Sequence, residues 1–303
     1  MRRRPAIRLI CALVFGATLA VAALAANRAP QTVGGARLIG VFHWQEPANW
    51  FGGFSGLELA EDGASMVVLG DRATLLRAGI QRHNGEISGV DITSTHRLRS
   101  SRGTYLSDRI VDSEGLAIGA DGTLYISFEG ISRVAHYQTG ADRARVLPRP
   151  KAFRKLPWNK ALEALAIDRH GWLYTLPERA LDADGNIPVW RWDGENWQTA
   201  FALPSRNGYY PVGADFGPDG RFYLLERDLS LFGFRSRLRR WEISPFSAES
   251  EQVLFESGAG EHDNLEGLSI WRDPSGELRA TMVSDDNFRS IQKTELVEYH
   301  LPD

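Results

Sequence analysis

Apolar and polar positions alternate along this chain in short stretches, and one such stretch recurs five times. It reads "SGLELAEDGASMVVLGDR" from Ser55, "SEGLAIGADGTLYISFEG" from Ser113, "LEALAIDRHGWLYTLPER" from Leu162, "VGADFGPDGRFYLLERD" from Val212 and "LEGLSIWRDPSGELRATMVSDDN" from Leu265. Each unit is a short apolar strand, a glycine-containing tight turn, a second strand and a charged cluster. The turns Asp62-Gly63, Asp121-Gly122, His170-Gly171, Asp219-Gly220 and Ser275-Gly276 supply a residue that tolerates positive φ where the chain reverses.

Further strand-like runs follow the hairpins, among them "IPVWRWD" from Ile187, "NWQTAFAL" from Asn196, "SRLRRWEIS" from Ser236 and "EQVLFES" from Glu251. No long stretch with helical periodicity interrupts them. The pattern predicts an all-β fold, a β-propeller of four-stranded antiparallel blades, because a sandwich has no reason to repeat one hairpin at this interval. Five blades are countable; a sixth, built from residues 72 to 112, is the alternative. The last unit is one strand short, and "ARLIGVFHW" from Ala36 to Trp44 is expected to pair with it, closing the ring and removing exposed edges.

The N-terminus departs from this pattern. Arg2, Arg3, Arg4 and Arg8 form a basic region, Leu9 to Leu24 an apolar run, and Ala23-Leu24-Ala25 a small-residue cleavage pattern. Residues 1–26 therefore read as an export signal, or as an uncleaved N-terminal membrane anchor, since the uncharged run of 18 residues sits at the lower edge of what spans a bilayer. Residues 27–35 are a linker, and 36–303 form a single domain expected in the periplasm or outside the cell. Cys11, the only cysteine, lies in the apolar run, so the exported chain has no disulfides and depends on core burial.

Composition is that of an ordinary globular protein, 43% apolar and 24% charged. Without the four N-terminal arginines, 31 basic residues stand against 38 acidic ones, a balance near −7. Nucleic acid is excluded as a partner on this count, and membrane contact is expected only through the N-terminal segment. A monomer acting on a small anionic or ester substrate fits this balance.

The acids fall at repeated places. Glu114, Glu163 and Glu266 stand at the entrance of the inner strands, and Asp71, Glu129, Glu178, Glu226, Asp228, Asp285 and Asp286 follow the second strands. In a propeller these positions converge on one face, so the acids are expected to ring one opening. So many carboxylates cannot all stay ionised without cations, and hard oxygen ligands suit a divalent cation such as Ca²⁺. The structural alternative is that each Glu caps its own blade by accepting backbone N–H bonds. Arg72, Arg179 and Arg227 are interleaved with the acids, either to neutralise them or to bind an anion. His262 is a further candidate for the site. Trp158, Tyr209 and Tyr210 are candidates for core packing or for the wall of a pocket.

The stretch "SDDNFRS", residues 284 to 290, doubles the carboxylate; a cation shared by Asp285 and Asp286 is the expectation, with backbone hydrogen bonding as the competing account. No nucleophile elbow, phosphate-binding loop or zinc spacing is present.

The motifs "FGGFSGL" with "GDR", "DSEGLAI" with "SFEG", "ALEALAI" with "LPE", "FGPDGRFYLLERD", and "LEGLSI" followed by "SDDNFRSIQKTELVEYHL" resemble the phytase-like propeller family, the "esterase-like activity of phytase" proteins. The resemblance covers essentially the whole mature chain. It places Ser55, Asp71, Arg72, Glu114, Glu129, Glu163, Glu178, Glu226, Arg227, Asp228, Glu266, Asp285, Asp286 and Asn287 on the family's motif positions. It also implies similarity to calcium-dependent phytases that cleave phosphomonoesters by water attack across bridging cations. Two departures stand out: Ala164 where a glycine is usual, and "VGADFG", which has no acid where the other units carry Glu.

The expectation is an exported metal-dependent hydrolase. Asp71, Glu114, Glu129, Glu163, Glu178, Glu226, Asp228, Glu266, Asp285, Asp286 and Asn287 would hold metal, Glu114 or Glu266 would act as base, and Arg72 or Arg227 would steady the anion. The alternative is a non-catalytic propeller, stabilised by a cation and binding a ligand or protein. A sugar-lactonase-like propeller would share the metal but needs an Asn/Asp/Glu set not identified in the chain.

Overall fold

The structure, a computed structural model, describes residues 34–138, 143–158 and 161–303. The export signal expected in residues 1–26 lies outside the described residues. Twenty strands build five four-stranded antiparallel sheets. β1 (Arg37–His43) comes first in the chain. Blade one holds β2 (Phe54–Leu59), β3 (Ser65–Gly70), β4 (Thr74–His83) and β5 (Glu86–Arg97). Blade two holds β6 (Ser113–Ile118), β7 (Leu124–Phe128), β8 (Arg133–Tyr137) and the two-residue β9 (Arg145–Val146). Blade three is β10 (Leu162–Ile167), β11 (Leu173–Pro177), β12 (Asn186–Trp192) and β13 (Trp197–Pro204). Blade four is β14 (Tyr210–Phe216), β15 (Phe222–Ser230), β16 (Gly233–Ile243) and β17 (Ala248–Glu256). Blade five is β18 (Leu265–Arg272), β19 (Leu278–Ser284) and β20 (Glu295–His300), completed by β1.

This is a five-bladed β-propeller. The sixth-blade alternative fails because β4 and β5 are the outer strands of blade one, paired from Thr74↔Arg97 to His83↔Glu86. The ring closes as expected: β1 pairs antiparallel with β20 from Arg37↔His300 to His43↔Glu295. Among the described residues all twenty strands lie between Arg37 and His300, so the five-bladed ring closes within that span.

The hairpin turns follow the sequence pattern, with φ between 65° and 89° at Gly63, Gly122, Gly171, Gly220 and Gly276. Five apolar clusters fill the spaces between blades, one for each pair of neighbours. Fully buried Phe54, for example, packs with Trp44 and Val283 between blades five and one. These wedges are the main source of stability in a disulfide-free chain.

The inner strands β2, β6, β10, β14 and β18 touch one another in order around the axis. Each inner hairpin slips register at the same place, at Phe54/Gly56, Ser113/Leu116, Leu162/Leu165, Pro211/Gly213 and Leu265/Gly267. A bulge leaves a residue outside the ladder and re-aims its side chain. The residues carried there are Ser55, Glu114, Glu163, Val212 and Glu266. Just beyond them the strands come too close for a side chain: a Cβ on Gly213 would lie 2.3 Å from the Glu266 carbonyl oxygen, and one on Gly115 would lie 2.6 Å from that of Glu163. The axial channel at this collar holds a cavity of about 10 Å³, at the lower limit for one water.

Candidate metal and catalytic funnel

Two rings of side chains stand at one mouth of the channel. The bulges supply the inner ring, in which Glu114, Glu163 and Glu266 are close enough to raise one another's pKa values across blades two, three and five. The ladder register defines the second ring. Gly70, Phe128, Pro177, Glu226 and Ser284 are the last equivalent positions of the second strands, opposite Phe54, Ser113, Leu162, Pro211 and Leu265. The residues that follow are therefore Asp71, Glu129, Glu178, Arg227 and Asp285.

This corrects the sequence alignment of blade four by one residue. Arg227, not Glu226, occupies the ring position, and a shift of one on a strand turns a side chain to the opposite face. Glu226 is fully buried between Arg237 and Arg239, with bonds of 2.8 Å and 2.7 Å from their Nε atoms to its Oε2. Asp228 also stands apart from the rings. It lies within β15, which keeps pairing with β16 as far as Ser230↔Gly233, and it accepts a 3.0 Å bond from Arg235.

Arg227 is the half-buried countercharge of the funnel. Its guanidinium contacts the Glu266 carboxylate, donates to Asn264 Oδ1 at 2.6 Å and lies 3.6 Å from Glu178. Burial alone would lower its pKa; the surrounding carboxylates, Glu266 foremost, reverse that and raise it. Arg72 is exposed at the rim, its guanidinium 3.5 Å above the Phe288 ring. Arg179 pairs with Glu178 at 3.2 Å and stacks on Tyr210.

The acids outnumber these countercharges, and burial decides their ionisation. Asp71 is pushed up to about 7 and Asp285 to about 8, burial being the main cause in both. Glu114 and Glu163 are raised well above the usual carboxylate range by burial and then by neighbouring glutamates. Glu266 is raised by burial, against the opposing pull of Arg227 and Asn264. Asp112 is also raised by burial.

Asp112 and Asn264 join the funnel although sequence reasoning did not name them. The signal was present, since each lies within two residues before an entrance Glu, in "DSEG" and "NLEG". A polar residue there is also common in ordinary loops.

The residues fit a hard cation. Carboxylate oxygens of Asp112, Glu114 and Glu129 lie within 4.8 Å of one another, and so do those of Glu129, Glu163 and Glu178, so Glu129 is common to both groups. Among the described residues the Asp71 Oδ1 atom is buried with no hydrogen-bond partner. The Glu163 carboxylate, on a residue only 7% exposed, likewise accepts no hydrogen bond among the described residues. Oxygen-only donors in this number suit Ca²⁺ or Mg²⁺. A third group, Asp273, Glu277 and His300, lies at the far turn of blade five, where Arg279 and the backbone already satisfy Asp273.

The doubled carboxylate diverges. Asp285 turns into the funnel, where it accepts the Asn287 N–H at 2.6 Å and lies near Asn264. Asp286 accepts N–H bonds from Gly53 and Phe288 on Oδ1 and the Thr294 hydroxyl on Oδ2. Backbone hydrogen bonding thus holds Asp286 and ties blade five to the start of blade one. Asn287 is exposed and left-handed, with φ of 49°.

His262 belongs to the core of blade five, its ring nitrogen 2.7 Å from the Tyr299 hydroxyl, with burial lowering its pKa. Tyr209 is buried against Arg237, whereas Trp158 is 49% exposed beneath Arg109.

No curated protein matches the chain. Among solved structures it is similar to a streptogramin B lyase, at 13% identity over 88% of this chain and 74% of that one, with a TM-score of 0.40. The PQQ-bound aldose sugar dehydrogenase of Streptomyces coelicolor is 13% identical over 90% and 100%, with a TM-score of 0.44. The calcium-binding protein regucalcin of Agrobacterium tumefaciens strain C58 is 8% identical over 82% and 90%, with a TM-score of 0.48. Likeness of this degree carries no argument about chemistry. The family model described as "Phytase-like: Esterase-like activity of phytase" matches residues 49–288, the region that contains both rings of the funnel, and the chain belongs to that phytase-like family.

Proposed function

We propose that the protein is a hydrolase of phosphoesters or other small esters that works with a divalent cation, Ca²⁺ in the first instance, at the carboxylate funnel. The observation that carries this reading is the convergence of Asp71, Asp112, Glu114, Glu129, Glu163, Glu178, Glu266 and Asp285 around the half-buried Arg227. Membership of the phytase-like family supports it.

The two carboxylate groups that share Glu129 would hold the cation. When bound, it supplies Lewis-acid polarisation of the ester and makes a nearby water easier to deprotonate. Glu114 is the base in this reading. Its carboxylate accepts no hydrogen bond among the described residues, which leaves it free to take a proton from water, and burial raises its pKa. Glu266 is less suited, because Arg227 and Asn264 already hold it. Arg227 is occupied by the same contacts and serves to keep part of the funnel ionised. Exposed Arg72, fixed over Phe288, is the arginine free to steady an anionic substrate at the rim.

The narrow collar favours a second reading, a non-catalytic propeller whose cation joins the blades, since a substrate has room only at the funnel mouth. One experiment separates the two. The mature protein is assayed against phosphomonoesters and aryl esters with Ca²⁺ and with chelator, alongside Glu114→Gln and Glu163→Gln. Activity that survives chelation and both substitutions rejects the hydrolase reading; cation-dependent thermal stabilisation with no turnover selects the second.

A further inference from the structure

Blade two carries a charge distribution that the funnel does not use. Residues 143–158, "RARVLPRPKAFRKLPW", hold Arg143, Arg145, Arg149, Lys151, Arg154 and Lys155, with one acid, Asp142, directly before them in the sequence, in a chain whose net charge is −3. None of the six has a carboxylate within ion-pair distance among the described residues, and all but the half-buried Arg149 are exposed. The neighbouring segment 97–109 adds Arg97, Arg102 and Arg109 against one exposed acid, Asp108.

The two segments form one strip. Arg99 pairs with Arg143 in an isolated bridge, and Arg149 donates to the Ser132 carbonyl at 2.7 Å. Partial burial, then the Arg154 charge, lower the Arg149 pKa, as expected where like charges are held together. A protein does not gather like charges without a stability cost. Blade two also ends in the shortest outer strand, β9, so loops rather than a ladder present this face.

Amphipathic side chains are interleaved with the charges. Trp158 is 49% exposed under Arg109, Tyr105 is 51% exposed between Arg97 and Arg99, and Val146 is 45% exposed. Exposed aromatics beside lysine and arginine suit the boundary between lipid headgroups and acyl chains. We propose that this strip, centred on Lys151, Arg154, Lys155 and Trp158, docks the propeller on an anionic lipid surface. Nucleic acid would satisfy the same charges; the export expected from residues 1–26 favours anionic lipid.

The strip reaches the funnel. A Cβ on Gly130, the residue after Glu129, would lie 2.6 Å from the Arg109 carbonyl oxygen and 3.3 Å from the Trp158 indole nitrogen. A bilayer docked on the strip therefore borders the funnel mouth. The inference does not depend on a metal in the funnel or on turnover there.

The test is flotation of the chain from Asn27 onward, which contains the complete ring, with vesicles of phosphatidylglycerol and phosphatidylcholine mixed in equal parts, and with phosphatidylcholine alone. Binding is expected on the mixed vesicles only, and it weakens as salt is added. The triple variant Lys151→Glu, Arg154→Glu, Lys155→Glu changes only exposed side chains; it is expected to bind the mixed vesicles about tenfold more weakly or worse, at an unchanged melting temperature. Trp158→Ala is expected to weaken binding at the same salt dependence. Equal binding to both vesicles, or full binding by the triple variant, overturns the proposal. Tighter binding of a single-stranded oligonucleotide than of the mixed vesicles overturns it in favour of nucleic acid.

Discussion

Glu226 and Arg227 are adjacent on β15 and serve opposite faces of blade four: Glu226 is fully buried against Arg237 and Arg239, while Arg227 reaches Glu178 and Glu266 in the funnel. The alternation of a strand separates a carboxylate of the blade core from an arginine of the funnel by a single residue.

Glu226→Gln is therefore expected to destabilise the protein by about 3–5 kcal/mol, because two buried guanidinium groups lose their countercharge. Thermal unfolding in chelator measures it. The stabilisation gained on adding Ca²⁺ should equal that of wild type, since Glu226 lies outside the funnel.

Glu163→Gln should behave in the reverse way. Glu163 is buried with no hydrogen bond to its carboxylate among the described residues, so neutralising it leaves metal-free stability unchanged or higher. The thermal shift produced by Ca²⁺ should fall by half or more. An undiminished shift removes Glu163 from the cation site.

The funnel sets an unusual pH dependence. Asp71 and Asp285 have folded-state pKa values of about 7 and about 8, above the roughly 3.9 of an unfolded aspartate. The folded chain thus binds more protons than the unfolded one between about pH 4 and pH 8, and stability falls as pH rises through that window. In chelator the protein should melt several degrees lower at pH 8 than at pH 5, and saturating Ca²⁺ should remove most of that difference. A melting temperature that rises with pH in chelator contradicts the protonated funnel.

Asp286→Asn tests the doubled carboxylate. An amide keeps one acceptor oxygen but loses the charge that strengthens the bonds from Gly53, Phe288 and Thr294, so a loss of about 1 kcal/mol is expected. The Ca²⁺ response should be retained, in contrast to Glu163→Gln.

The collar makes a steric prediction. Gly213→Ala places a methyl group against the Glu266 backbone, which is not free to move within the ring, and should cost about 1–3 kcal/mol. Unfolding in urea checks this, with Ala164→Gly as a control expected to cost less than about 1 kcal/mol.

Much of the fold was legible in the sequence because blades are local. A hairpin needs only apolar alternation and a residue such as Gly122 or Gly220 at its turn, and a pattern repeated five times points to a ring. The pairing of β1 with β20 followed from the missing strand in the last unit, since an open ring would leave two bare edges. Convergence of Glu114, Glu163 and Glu266 was legible for the same reason, as equal positions in equal blades meet at the axis.

What the sequence could not determine was the direction of each side chain within a blade. Letter-by-letter alignment grouped Glu226 with Glu129 and Glu178, but the hydrogen-bond register moves it one place and so to the other face. Asp285 and Asp286 looked like a pair, yet one side chain turns into the funnel and the other caps the Gly53 amide, 233 residues away in sequence. Composition gives a weakly acidic chain, whereas folding gathers acids in the funnel and a run of arginines and lysines on blade two. Strand patterns are set by neighbours a few residues apart; the partners of a charge are set by which strands the ring brings together, and only the tertiary structure decides that.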